Sequence, residues 1–211
     1  MKKTKSVYSA SFTACALRKM EFDAVLPLLM SEDCDALIKR EVEDNRLMNI
    51  RSEAARNRII LEFKKRYTTM PRHFWEQYQN QTEDVQYLYL YYNILKCYRV
   101  IFDIALNVVI PKSRSVDNTL QTMDVAMGIA ELATREETIA SWTEKTIAKI
   151  NARIVKLYLE INMLDKNTCE LKPMRYDNDA YSYFVQQGDT WFLDVCLLPN
   201  YQKQEIIDLW Q

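Results

Sequence analysis

Glycine is nearly missing from this chain. Gly128 and Gly188 are the 2 glycines in 211 residues, beside 5 prolines. Sheet-rich folds use both residue types in their turns, so the scarcity excludes a many-stranded architecture and leaves a mostly helical one. Two glycines also cannot build a phosphate-cradling loop. Histidine is reduced to His73. That excludes a histidine-based metal cluster and leaves a catalytic triad one candidate, set in an aromatic segment with no motif around it. The cysteines, Cys15, Cys34, Cys97, Cys169 and Cys196, contain no C-x-x-C pair, so neither a zinc site nor a disulfide framework is expected. No apolar run is long enough to span a bilayer. The strongest, residues 100–110, is interrupted by Asp103 and Asn107 and reads as a buried helix. The basic start, Met1-Lys2-Lys3-Thr4-Lys5, leads into no long apolar stretch, because Arg18 and Lys19 follow the short run 12–17. No signal peptide is expected, and reduced cysteines in the cytoplasm are. An excess of one charge is missing too. The 28 basic residues meet 29 acidic ones for a net charge of -1, so any contact with a polyanion must come from a local patch.

What is present is a globular composition, 48% hydrophobic and 27% charged. Apolar spacing of three and four predicts helices over residues 8–20, 22–30 (started or broken by Pro27), 31–44 with Ser31 as N-cap, and 52–68 with Ser52 as N-cap. Shorter helical patterns cover 73–79, 119–134, 179–187, 191–198 and 202–210. In the helix 119–134, Leu120, Met123, Met127 and Leu132 are expected inward. Residues 83–110 read as one long helix, greasy on most sides, at the centre of a bundle.

The richest stretch is 141–161. Ser141 and Glu144 form an S-x-x-E pattern, the signature of a capping box. Lys145, Lys149, Arg153 and Lys156 then fall within an arc of about 80° on one helix face. Ile147, Ile150, Ile154, Leu157 and Ile161 lie opposite. Such a helix can dock one stripe into a core and lay the other along nucleic acid, with Thr143 and Thr146 near its N-terminus. The same stripe is also what an ordinary solvated face looks like. The helix, link and basic helix of residues 31–67 suit a helix-turn-helix or a plain helical hairpin; Arg56, Arg58, Lys64 and Lys65 are its cations. Residues 163–171, with a D-K-N-T turn, read as a small hairpin after a basic helix, which is the order of a winged helix.

The expected fold is therefore all-α: a multi-helix bundle with helix-turn-helix and winged-helix-like elements and at most a small β-hairpin wing. It divides into an N-terminal region 1–71, a central core 72–133 and a C-terminal region 134–211. The acidic pairs, Glu41 with Glu43 and Asp44 and Glu136 with Glu137, sit near helix ends and need no catalytic explanation. A binding protein without cofactor or metal is expected, not an enzyme. An RNA-binding protein of antitermination type is one alternative. A scaffold docking through an aromatic surface near Trp75, Tyr78 and Trp191 is another.

Tyr8-Ser9-Ala10, then Glu43-Asp44-Asn45-Arg46-Leu47, then Trp142-Thr143-Glu144-Lys145-Thr146 and Met163-Leu164 together resemble, in order and spacing, the BrxA family of BREX phage-exclusion systems. The resemblance covers nearly the whole chain. It implies an all-helical protein with winged-helix-like elements, a family compared with NusB-type RNA-binding antitermination proteins. It implies double-stranded DNA and other BREX defence proteins as partners, and no enzymatic activity. Some members carry an inner-membrane label, which this sequence argues against. The basic residues it brings forward are Arg56, Arg58, Lys64 and Lys65, and Lys145, Lys149, Arg153 and Lys156.

Overall fold

The computed structural model describes residues 6–211, so the basic run at 1–5 lies outside the described residues. Every regular element within them is helical. In chain order these are α1 (Phe12–Cys15), α2 (Lys19–Met30), α3 (Cys34–Asp44), α4 (Glu53–Thr69), α5 (Arg72–Gln79), α6 (Glu83–Cys97), α7 (Arg99–Ile104), a π-turn (Ala105–Val109) and α8 (Ile110–Ser113). Then follow α9 (Thr122–Ala133), α10 (Glu137–Ala140), α11 (Glu144–Glu160), a 3-10 turn (Asn178–Tyr181), α12 (Ser182–Gln186), α13 (Trp191–Val195) and α14 (Asn200–Trp210). One cluster of buried apolar side chains runs from Tyr8 to Ile206.

α2, α3 and α4 pack on one another as a three-helix unit. Ser52 caps α4 as the sequence predicts, accepting from the Ala55 N–H. Ser31 does not cap α3, whose N-cap is Asp33; the Ser31 hydroxyl instead accepts from the Asp33 N–H. α2 begins at Lys19 and runs through Pro27, which stands in its last turn and removes the backbone bond that would reach the Asp23 carbonyl. Two buried charged side chains hold the link between α3 and α4. The Glu41 carboxylate accepts from the backbone N–H groups of Leu47 and Met48, both at 2.9 Å. The Arg56 guanidinium donates to the carbonyls of Val42 at 2.6 Å, Ile50 at 2.7 Å and Arg51 at 3.2 Å.

The central helix is interrupted where the sequence predicts continuity. Leu88 through Leu95 are all buried, but Tyr98 adopts extended backbone, φ -127° and ψ 95°, and separates α6 from α7. This lets the Tyr98 hydroxyl donate to Glu62 at 2.7 Å and accept from Arg66 Nε at 3.2 Å. Asn93, buried on α6, donates to the Arg66 carbonyl at 2.9 Å, and Trp75 Nε1 donates to the Tyr67 carbonyl at 3.0 Å. The last carbonyls of α4 thus find side-chain partners that the helix itself cannot supply. α9 crosses the π-turn at Gly128. A Cβ there would lie 2.4 Å from Val108 Cγ2 and 2.8 Å from Ile104 Cδ1. That close approach turns Val125 and Ile129 inward and leaves Met123 and Met127 exposed, at 66% and 59%, contrary to the expected inward methionines.

The predicted hairpin is reduced to isolated bridges. Leu164 pairs with Leu171, and Thr119, which the sequence assigned to a helix, pairs with Glu170. The Leu120 N–H donates to the Cys169 carbonyl at 2.8 Å and the Leu171 N–H to the Asn118 carbonyl at 3.0 Å. The turn is tightened by Asp165, whose carboxylate accepts from the N–H groups of Asn167 and Thr168. Cys169 takes a positive φ of 59°.

Candidate nucleic-acid interface

α11 opens two residues later than the S-x-x-E pattern suggests. Its N-cap is Thr143, whose hydroxyl oxygen accepts from the Thr146 N–H at 3.2 Å, while the two threonine hydroxyls share a bond at 3.0 Å. The Ser141 hydroxyl turns back to the Thr138 carbonyl at the end of α10. Ile150, Ile154, Leu157 and Tyr158 are fully buried against α9 and α1. The opposite face is open. Lys145 and Lys149 are exposed and enter no ion pair among the described residues; between them and Lys156 lie Ala148 and Ala152, also exposed. Lys156 is 54% exposed and 3.4 Å from the Glu160 carboxylate. Arg153 is half-buried and lines a cleft together with Lys156, Glu160 and the connection between α1 and α2.

The α4 cations have other tasks. Arg56 is buried at 6% exposure and clamps the α3–α4 link, so its candidacy as a nucleic-acid contact is withdrawn. Lys64 pairs with Asp35 at 2.6 Å and holds that carboxyl below its ordinary range, chiefly by hydrogen bonding. Lys65 donates to the Ser11 hydroxyl at 3.3 Å and lies 4.3 Å from the centre of the Tyr98 ring. Arg58 alone of the four stays exposed without an acidic partner among the described residues. α1 packs against both α4 and α11 and so connects the two basic helices.

Two cations the sequence reading did not assign to the site, Arg18 and Lys19, line the same cleft as Arg153 and Lys156. Their adjacency after a short apolar run was the only signal, and it carries no helical period. The aromatic docking surface does not exist at two of its three residues: Trp75 is 0% and Tyr78 1% exposed, both in the core. Trp191 is half-buried, stacked on Tyr92 with ring centres 5.9 Å apart.

The sequence profile of the BrxA family matches residues 6–188. The chain belongs to the BrxA family. That makes it a protein of BREX phage defence, and it spans the three-helix unit, the core and α11 alike. No curated protein matches the chain. Among solved structures, the crystal structure of an uncharacterized protein from Magnetospirillum magneticum is similar to it, with a TM-score of 0.75 at 18% identity, over 90% of this chain and 98% of that one. At that identity the likeness shows a shared fold and not a shared activity. No helix among the described residues is long and apolar enough to cross a membrane.

Proposed function

We propose that this BrxA-family protein is a non-enzymatic, cytoplasmic DNA-binding component of a BREX system, and that α11 is the helix it lays on duplex DNA. One observation carries the reading: α11 buries Ile150, Ile154, Leu157 and Tyr158 on one face while Lys145 and Lys149 stand on the other without an acidic partner among the described residues, with only the methyl groups of Ala148 and Ala152 between the cations. Small residues between cations let a phosphate backbone approach closely, and neutralised phosphates release counterions, the main source of affinity for such a surface. The free N–H groups at the start of α11, beside Thr143 and Thr146, add favourable dipole for an anion. In this reading α9, α10 and α11 with the paired segments near 119, 164 and 171 form a minimal winged helix, and α3 and α4 a helix-turn-helix-like unit whose Arg58, without an acidic partner among the described residues, makes a backbone contact. Other proteins of the defence system are its further partners.

The test is competition between labelled duplex DNA and single-stranded RNA, with Lys149→Glu/Arg153→Glu beside the unaltered protein. The reading predicts duplex preference and loss of binding in the double variant. Preference for RNA, or unchanged affinity in the variant at low salt, overturns it.

A further inference from the structure

The cleft between the α1–α2 elbow and the second half of α11 has a volume of about 400 Å³. Arg18 and Lys19 stand on its elbow wall and Arg153 and Lys156 on its α11 wall, against two carboxylates, Glu21 and Glu160. The elbow backbone is unusual. Ala16 has φ 55° and ψ -154°, and Arg18 has φ 46° and ψ 54°, both in the region that side chains disfavour. The fully buried Arg66 holds it there, donating through Nη1 to the Leu17 carbonyl at 2.8 Å and through Nη2 to the Ala16 carbonyl. Two carbonyl oxygens that would repel an anion are thereby turned inward. Burial pushes the Cys15 thiol, which also lines the cleft, up from its ordinary range.

We infer that this cleft is a phosphodiester seat: Arg18 and Arg153, assisted by Lys19 and Lys156, grip a backbone phosphate of the DNA that runs along α11, so the contact surface continues from α11 onto the N-terminal elbow. The inference rests on the DNA-binding reading above. Arg153 has no carboxylate partner among the described residues. Arg18 and Lys156 are held by same-helix or neighbouring-turn pairs, to Glu21 and to Glu160 at 3.4 Å. Pairs of that kind at partly exposed sites are weak and yield to a phosphate that accepts two guanidinium forks. Lys19 is the least free, bonded to Asp23 and Gln86, both at 2.7 Å, with its ammonium 5.6 Å from the Tyr87 ring centre. It serves as a fixed positive wall. Arg66 is a positioning residue.

The experiment measures duplex-DNA affinity against salt concentration for the whole chain carrying Arg18→Asn, Arg153→Gln or Lys149→Gln. Asparagine tolerates the left-handed backbone at position 18, and thermal unfolding checks that each variant is folded. Each of the three is expected to weaken binding about five- to tenfold near 0.1 M salt and to reduce the slope of log affinity against log salt by about 1. If Lys149→Gln weakens binding while Arg18→Asn and Arg153→Gln leave affinity and slope unchanged, the cleft falls and the α11 reading stands. If none of the three has an effect, or DNA is not bound, both fall. Inorganic phosphate added at constant ionic strength separates the sources of the phosphate: no displacement of DNA at millimolar phosphate supports the proposal, and displacement there marks a free-anion site and overturns it.

Discussion

Arg56 and Lys149 carry the same charge on helices of equal length, and what each one touches makes them different. Arg56 satisfies three carbonyls inside the α3–α4 link, so Arg56→Ala should cost about 2–3 kcal/mol of stability in denaturant unfolding while the folded fraction keeps its DNA affinity. Lys149→Ala should do the reverse: stability within about 0.5 kcal/mol, weaker binding. This difference was partly legible. At about 100° per residue, Arg56 falls inside the arc of Ile59, Ile60, Phe63 and Tyr67, whereas Arg58, Lys64 and Lys65 lie outside it. An arginine in the middle of an apolar stripe is a buried one with carbonyl partners. What the chain could not announce is which carbonyls, because Val42 and Ile50 come from elements whose docking fixes the answer.

Elements ended where side chains found partners in space. α11 was visible as a helix from its two opposed stripes, but its first residue was not, because Ser141 and Thr143 are both competent caps and only the fold sends Ser141 back to α10. Thr143→Ala should therefore destabilise by about 1 kcal/mol, and Ser141→Ala by less, in thermal or denaturant unfolding. The break at Tyr98 had no local mark, since it depends on Glu62 and Arg66 of a helix about thirty residues earlier. The close crossing of α9 over the π-turn was signalled only by the rarity of glycine. Gly128→Ala gains helix propensity yet drives a Cβ into Val108, so a net loss of about 1–3 kcal/mol is expected. The segment before α9 joins the Asp165 turn through one bridge, Thr119 with Glu170, too short for any periodic signal.

At the scale of the whole molecule, the near-neutral charge hides a local positive face on α11, where Lys145 and Lys149 have no acidic partner among the described residues and Lys156 pairs with Glu160. Stability should respond to pH through buried or bonded carboxylates. Burial pushes the Asp189 carboxyl up, but hydrogen bonds from Lys96, Tyr92 and Trp191 outweigh it and hold the group below its ordinary range. A depressed folded-state value means the stabilisation is present above about pH 4 and is lost as pH falls through the lower folded value. Melting temperature should drop below about pH 4, and Asp189→Asn should shrink that drop while lowering stability at neutral pH.

The central claim is that the open face of α11 meets a polyanion. The most direct measurement is duplex-DNA affinity by fluorescence anisotropy across about 0.05–0.3 M salt, for the unaltered protein and Lys145→Glu/Lys149→Glu. The account predicts a log–log slope of about -3 to -5 that flattens, with affinity lost, in the double variant. A slope near zero, or a double variant that binds as tightly as the unaltered chain, contradicts it.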